Sequence, residues 1–163
     1  MTHQTDIVEF LGAEDNRLVA DRHVPVEGAE HGLPVLLLHG GGQTRHAWGN
    51  AARRIAEAGH RAYTVDQRGH GDSAWVPTQA YATMDYAADA VALARQIADE
   101  TGSSPVLVGA SLGALPLGIA FDLFSSYDAT LRWLAVQPAL CIGLAFFLRL
   151  PALLERRAAG EQG

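Results

Sequence analysis

The 163-residue sequence contains a single cysteine, Cys141, and no extended run of lysine or arginine. One cysteine cannot form an intramolecular disulfide, and it excludes a cysteine-based metal site. With no basic run and a formal net charge of -6, the chain offers no nucleic-acid surface. Residues 1–11 lack a basic segment followed by an apolar one, so no secretory signal is expected. These absences are compatible with a cytoplasmic protein that binds no nucleic acid.

The rest of the composition is that of one globular domain. Hydrophobic residues make up 48% and charged residues 18% of the chain, which distinguishes it from a disordered sequence. The length is sufficient to bury a core. No internal repeat or low-complexity tract interrupts the sequence.

Short apolar runs alternate with alanine-rich amphipathic segments. The predicted strands are 7–11, 17–24, 34–38, 61–65 and 105–108, and the predicted helices are 48–58, 84–100 and one that follows Gly113 and ends near Phe124. Short unbroken apolar runs are typical of strands buried on both faces of a parallel sheet. The pattern predicts an α/β fold: a doubly wound, mostly parallel sheet with helices on both faces.

Three glycine-rich segments, 39–42, 66–73 and 109–113, each follow a predicted strand. The carboxyl ends of parallel strands meet at one edge of the sheet, where ligands bind in such folds. We therefore expect these segments to lie together.

The third segment, Gly109-Ala-Ser-Leu-Gly113, has the pattern G-x-S-x-G between a strand and a helix. A serine in this pattern occupies a sharp, strained turn that exposes its hydroxyl, and glycine fits the crowded positions on either side. The alternative is a tight turn whose serine caps a helix. The apolar strand before the motif and the apolar segment after it favour a nucleophilic Ser111, with the Leu112 N–H as an oxyanion donor.

The first segment, His39-Gly-Gly-Gly42, follows the other central strand. It is either a plain connection or a loop whose backbone N–H groups approach a ligand closely, as glycine permits. Because it should lie beside Ser111, we expect the N–H of Gly41 or Gly42 to supply the second oxyanion donor.

Together these segments resemble three motifs of the α/β-hydrolase superfamily: its oxyanion loop, its D-x-R-G-x-G-x-S loop (residues 66–73) and its nucleophile elbow. The order and separations also match, and the resemblance covers about residues 5–125. Within the superfamily the chain looks most similar to the cap-bearing esterases, lipases, epoxide hydrolases and cofactor-free haloperoxidases. Epoxide hydrolases and haloalkane dehalogenases use an aspartate nucleophile, so Ser111 favours acyl transfer instead.

The resemblance implies hydrolysis of a small ester or related acyl substrate through an acyl-enzyme at Ser111. Gly41 and Leu112 would hold the oxyanion, and no metal or organic cofactor is implied. Gly42, His46 and Trp48 are candidate substrate-binding residues, although His46 and Trp48 could instead cap and pack the first helix. In the family the loop that begins at Asp66 is structural, and His39 is expected to fix its loop without acting as a base.

A serine hydroxyl needs an adjacent base, and α/β-hydrolases supply an acid and then a histidine after the serine. All seven histidines of this chain precede Ser111. The acids that follow it, none of which comes after a convincing strand, are Asp122, Asp128, Glu155 and Glu161. The sequence therefore predicts a hydrolase core that is truncated on its C-terminal side, with an open sheet edge prone to self-association.

We divide the chain into a hydrolase core, 1–130, and a divergent apolar tail, 131–163, with a strand at 131–136 and a helix at 138–154. Residues 133–148 are apolar except for Gln137, but a membrane span needs about 20 apolar residues, so membrane contact is not expected. Three alternatives stay open: a non-catalytic hydrolase-fold protein, a membrane-associated chain, and a cofactor-free perhydrolase or haloperoxidase.

Overall fold

The computed structural model describes residues 3–114 and 134–135. Six strands and two α-helices are ordered along this part of the chain: β1 (His3–Leu11), β2 (Arg17–Pro25), β3 (Val35–Leu38), α1 (Gly49–Glu57), β4 (Ala62–Val65), α2 (Thr83–Thr101), β5 (Val106–Gly109) and β6 (Leu134–Ala135). Two 3₁₀ turns, Arg45–Trp48 and Ser111–Gly113, precede α1 and follow β5 respectively. The predicted strands and helices of this region are therefore present, with ends that differ by a few residues.

The strands form one mixed sheet in the order β1-β2-β4-β3-β5-β6. β1 and β2 form an antiparallel hairpin, and β2 pairs antiparallel with β4. The pairs β3–β4, β3–β5 and β5–β6 are parallel. The predicted mostly parallel sheet is thus confirmed, with the antiparallel pairs confined to the side of the N-terminal hairpin.

In the described part of the chain, one face of the sheet packs against α2 and the other against α1. Alternate residues of β3 divide between two apolar clusters, because successive side chains of a strand point to opposite faces. Leu36 and Leu38 join the cluster that contains Leu93 and Ile97 of α2. Val35 and Leu37 join the cluster that contains Ala52 of α1. This two-sided burial explains why β3 is apolar throughout, and it confirms the predicted helices on both faces.

Helix α2 has clear chemical signals at both ends. The carboxylate of Asp85 accepts a hydrogen bond from the N–H of Ala82, at 2.7 Å, just before the helix begins. Gly102 ends the helix with φ of 75°, a left-handed conformation that favours glycine. Between these ends, Tyr86, Ala90 and Leu93 are buried on one side, as the amphipathic spacing predicts.

Much of the predicted tail lies outside the described residues. Strand β6 falls within the strand predicted at 131–136. The predicted helix at 138–154, the helix after Gly113, the domain boundary at residue 130 and the predicted open sheet edge are not part of the described structure, so these remain predictions. In the described part, no helix is both long and apolar enough to cross a membrane.

Candidate active site

The three glycine-rich segments leave the carboxyl ends of adjacent strands. Segment 39–42 follows β3, segment 66–73 follows β4, and segment 109–113 continues from the end of β5. Because β3 lies between β4 and β5 in the sheet, the loop at 39–42 is flanked by the other two. The sequence-based expectation that these segments gather at one edge is therefore met by the strand order.

The turn at Ser111 is strained. Ser111 has φ of 52°, in the left-handed region that costs a non-glycine residue about 1–2 kcal/mol. A Cβ at Gly109 would lie 2.1 Å from the carbonyl oxygen of Gly113, and a Cβ at Gly113 would lie 2.4 Å from the carbonyl oxygen of Leu38. Both flanking positions therefore require glycine for steric reasons. The side chain between them is exposed, which is the arrangement that a reactive hydroxyl needs.

The glycine loop lies against this turn. A Cβ placed on Gly40 would be 3.4 Å from the Cβ of Ser111, and one placed on Gly41 would be 3.8 Å from the Cβ of Leu112. The N–H of Gly42 points to the Nε2 atom of His70, at 3.4 Å. Within residues 3–114, the N–H groups of Gly41 and Leu112 have no hydrogen-bond acceptor. Of the two loop donors that the sequence left open, Gly41 is the one whose N–H is not already engaged.

His39 is held as a loop-fixing residue. Its side chain is fully buried, and its Nδ1 lies 2.8 Å from the carbonyl oxygen of Gly40. The N–H of Gln67 donates to its Nε2 at 3.1 Å, so the ring is neutral with its proton on Nδ1. Burial lowers the pKa of His39 below the ordinary value of 6.5, and the Gly40 carbonyl offsets only part of that effect. With both nitrogens engaged, His39 has no free lone pair with which to act as a base.

The carboxylate of Asp66 binds the neighbouring loops. It accepts hydrogen bonds from the N–H groups of Arg45 at 2.6 Å and Asp72 at 3.0 Å, and it forms an ion pair with the Arg45 guanidinium. Burial by itself raises the pKa of Asp66. These three hydrogen bonds lower the pKa by more than burial raises it, so the pKa lies below the ordinary value of 3.8. These contacts give the carboxylate a structural role in connecting the loop to the 3₁₀ turn at Arg45.

Arg68 fixes the same loop from the other side of the sheet. Its fully buried guanidinium forms two hydrogen bonds to the carboxylate of Asp89 on α2, each at 2.7 Å, and a third at 2.8 Å to Glu14. A planar guanidinium suits this bidentate geometry. Sequence reasoning did not identify Arg45 or Asp89 as the partners of this loop. No motif marks either residue, because the pairing depends on contacts between segments far apart in the sequence.

The two predicted pocket residues on the 3₁₀ turn differ in their surroundings. The side chain of His46 is 67% exposed, and its Nδ1 lies 3.5 Å from the carboxylate of Asp21. Trp48 packs against the apolar cluster on the α1 side, so it has the helix-packing position that the sequence left as an alternative. Substrate binding by Gly42, His46 and Trp48 stays a prediction.

No side chain among residues 3–114 hydrogen-bonds to the Ser111 hydroxyl. The same region contains no group of three or more histidine, cysteine, aspartate or glutamate side chains that could bind a metal ion. The described part therefore brings together a strained serine and two unengaged N–H groups, without identifying a general base.

Comparison with known proteins identifies the family of the chain. Residues 35–162 match the sequence model of the alpha/beta hydrolase family. A protein of Variovorax paradoxus, provisionally named carbamate hydrolase RutD, is 39% identical over 61% of this chain and 37% of its own length. An esterase of Mycobacterium tuberculosis is 31% identical over 76% of this chain and 35% of its own length.

A solved structure of a related protein is also similar to this chain. Epoxide hydrolase A of Mycobacterium thermoresistibile superposes with a TM-score of 0.59 and 26% sequence identity, covering 76% of this chain and 36% of that one. The chain therefore spans little more than a third of the length of each of these three proteins.

Proposed function

Since the chain belongs to the alpha/beta hydrolase family, we propose that it carries the nucleophile and the oxyanion donors of a serine hydrolase that acts on small esters. The Ser111 hydroxyl oxygen attacks the ester carbonyl carbon, and the resulting oxyanion accepts hydrogen bonds from the N–H groups of Gly41 and Leu112. The alcohol then leaves, and water cleaves the acyl-enzyme to release the acid. The proton lost by the Ser111 hydroxyl ends on the departing alkoxide, so the new C–O bond to Ser111 replaces the C–O bond that breaks.

The observation that carries the proposal is the strained turn at Ser111. A φ of 52° at a serine, between two glycines whose Cβ positions are occupied, is a costly conformation for a residue with only a structural role. Strain of this kind is concentrated at functional sites, where the surrounding structure holds it in place. The adjacent Gly41 and Leu112 N–H groups supply the electrostatic stabilisation that acyl transfer needs.

The chemistry of the nucleophile favours esters over epoxides. The relatives include proteins named for hydrolysis of an ester, a carbamate and an epoxide. Epoxide hydrolases use an aspartate at the position of Ser111, as the resemblance implies, whereas a serine forms an acyl-enzyme with a carbonyl substrate. This choice at one position supports an acyl substrate.

The test is covalent acylation of the intact chain by p-nitrophenyl acetate, followed by intact-mass measurement and peptide mapping. We expect acetylation at Ser111 in the wild type and none at that site in Ser111→Ala. Ser104→Ala is the matched control, because Ser104 precedes the amino end of β5, at the opposite edge of the sheet, and it should behave as wild type. If intact-mass measurement shows the same total acetyl content in the wild type and in Ser111→Ala, the acetyl group is not on Ser111 and the proposal is contradicted.

A further inference from the structure

His70 lies in the loop that follows β4 and has two backbone partners. Its Nδ1 is 3.0 Å from the carbonyl oxygen of Arg68, and its Nε2 is 3.4 Å from the backbone nitrogen of Gly42. A carbonyl oxygen can only accept, so Nδ1 carries the proton, and Nε2 is left with the lone pair that accepts the Gly42 N–H. The two contacts together select one tautomer of a neutral imidazole.

The same ring packs against the fixed imidazole of His39. The two ring centroids are 4.9 Å apart, with an angle of 59° between the planes. Because His39 is itself bonded to Gly40 and Gln67, His70 is held from one side by a rigid neighbour. The imidazole therefore connects the loop at 66–73 to the far end of the glycine loop.

The polar groups of Gly40, at the other end of the glycine loop, are also engaged. The side-chain amide oxygen of Gln43 accepts the Gly40 N–H at 3.0 Å, and the N–H of Gln43 donates to the Gly40 carbonyl at 3.2 Å. With the Gly42 N–H bonded to His70, the Gly41 N–H is the loop donor that has no acceptor within residues 3–114. Gly41 therefore lies between two residues whose N–H groups both have acceptors.

We propose that His70 is a positioning residue for the oxyanion site: by accepting the Gly42 N–H, it orients the loop so that the Gly41 N–H faces the reacting carbonyl. This role rests on the proposed function. Glycine loops have many accessible conformations, and Gly42, with φ of 71° and no atom within 4 Å of its Cβ position, has little steric restraint of its own. An acceptor from a neighbouring loop provides the missing restraint.

Two variants of the full-length chain separate this role from a general structural one. His70→Asn keeps a side-chain N–H that can donate to the Arg68 carbonyl, but it has no acceptor at the position of Nε2. His70→Gln places an amide oxygen at that position. His31→Asn is the matched control, because the exposed His31 ring bonds to the carbonyl of Ala29 near the amino end of β3, away from the glycine loop.

The first readout does not depend on catalysis. In ¹⁵N–¹H spectra of the assigned chain, we expect the Gly42 amide proton to shift upfield in His70→Asn and to stay near its wild-type position in His70→Gln and His31→Asn. An unchanged Gly42 resonance in His70→Asn would overturn the proposal, because the hydrogen bond would then not exist in solution.

The second readout is the rate of Ser111 acetylation by p-nitrophenyl acetate as the ester concentration is varied. We expect His70→Asn to lower the maximal rate about three- to tenfold, the loss expected for one neutral hydrogen bond. The half-saturating ester concentration should stay unchanged, because the oxyanion donor acts in the transition state. His70→Gln should recover most of the rate.

The outcomes distinguish this inference from the proposed function. A reactive wild type together with an equally reactive His70→Asn variant would overturn only the role of His70. Equal losses in His70→Asn and His70→Gln would also overturn it, since they would indicate a packing role. A wild-type chain that is not acetylated at Ser111 would contradict the proposed function and this role with it.

Discussion

Adding one methyl group at Gly113 should separate the turn at Ser111 from strand β3. A Cβ at this position would lie 2.4 Å from the carbonyl oxygen of Leu38 and 2.7 Å from that of His39. Both atoms belong to the main chain at the end of β3, so neither can move aside by a change of rotamer. Gly113→Ala must therefore shift the turn away from the glycine loop, or distort β3 itself.

The magnitude follows from this contact. Overpacking of a well-packed interior costs about 1–3 kcal/mol, and two main-chain oxygens in the way place Gly113→Ala in the upper half of that range. For a chain of this length, a loss of about 2–3 kcal/mol lowers the melting temperature by about 4–12 °C. If the proposed function is right, acetylation of Ser111 should fall as well, because the turn that carries Leu112 would move away from the loop that carries Gly41.

The matched control is Gly49→Ala. Gly49 has helical angles, φ of -52° and ψ of -42°, and no atom lies within 4 Å of its Cβ position. Alanine there should stabilise the chain by about 0.4–1 kcal/mol by restricting the unfolded state. Urea unfolding followed by far-ultraviolet circular dichroism gives both values. A Gly113→Ala variant as stable as the wild type would refute the steric reasoning about the turn.

Two further predictions concern the strained serine and the buried carboxylate. Ser111→Gly should be more stable than Ser111→Ala by about 0.5–1 kcal/mol in urea unfolding, because glycine relieves the left-handed φ and alanine does not; equal stabilities would mean that the turn is not strained. Because the folded pKa of Asp66 lies below its ordinary value of 3.8, its contribution to stability is present above that value and is lost as the pH falls through the folded pKa. The unfolding midpoint of wild type should therefore drop more steeply with pH below about pH 4 than that of Asp66→Asn, and parallel profiles would contradict this assignment.

The chemical pattern of the sequence was sufficient to predict the fold class. Buried strands such as β3 need apolar residues on both faces, and helices such as α2 need an apolar stripe, so both leave a readable period. The glycine-rich segments follow strands whose parallel arrangement brings their carboxyl ends together, which made their proximity predictable as well. The tight turn at Ser111 could also be predicted, because the glycines that such a turn requires on steric grounds lie within five consecutive residues.

The contacts that hold the site could not be predicted in this way. The ion pair of Arg45 with Asp66, the bidentate pair of Arg68 with Asp89, and the hydrogen bond from Gly42 to His70 each join segments more than 20 residues apart in the sequence. Such partners depend on how the loops pack, and a charged or polar residue leaves no periodic pattern that identifies its partner. The role of Trp48 was left open for the same reason, and only the packing of α1 on the sheet placed it against the core.

The sequence by itself therefore determined the α/β architecture, the edge of the sheet where the glycine-rich segments meet, and the serine at its centre, because local sterics and periodic burial act along the chain. Only the tertiary structure decided which loop N–H is engaged by His70 and which is left unengaged, and that both nitrogens of His39 are occupied. These features depend on hydrogen-bond directions between loops, which are fixed when the sheet packs against α1 and α2.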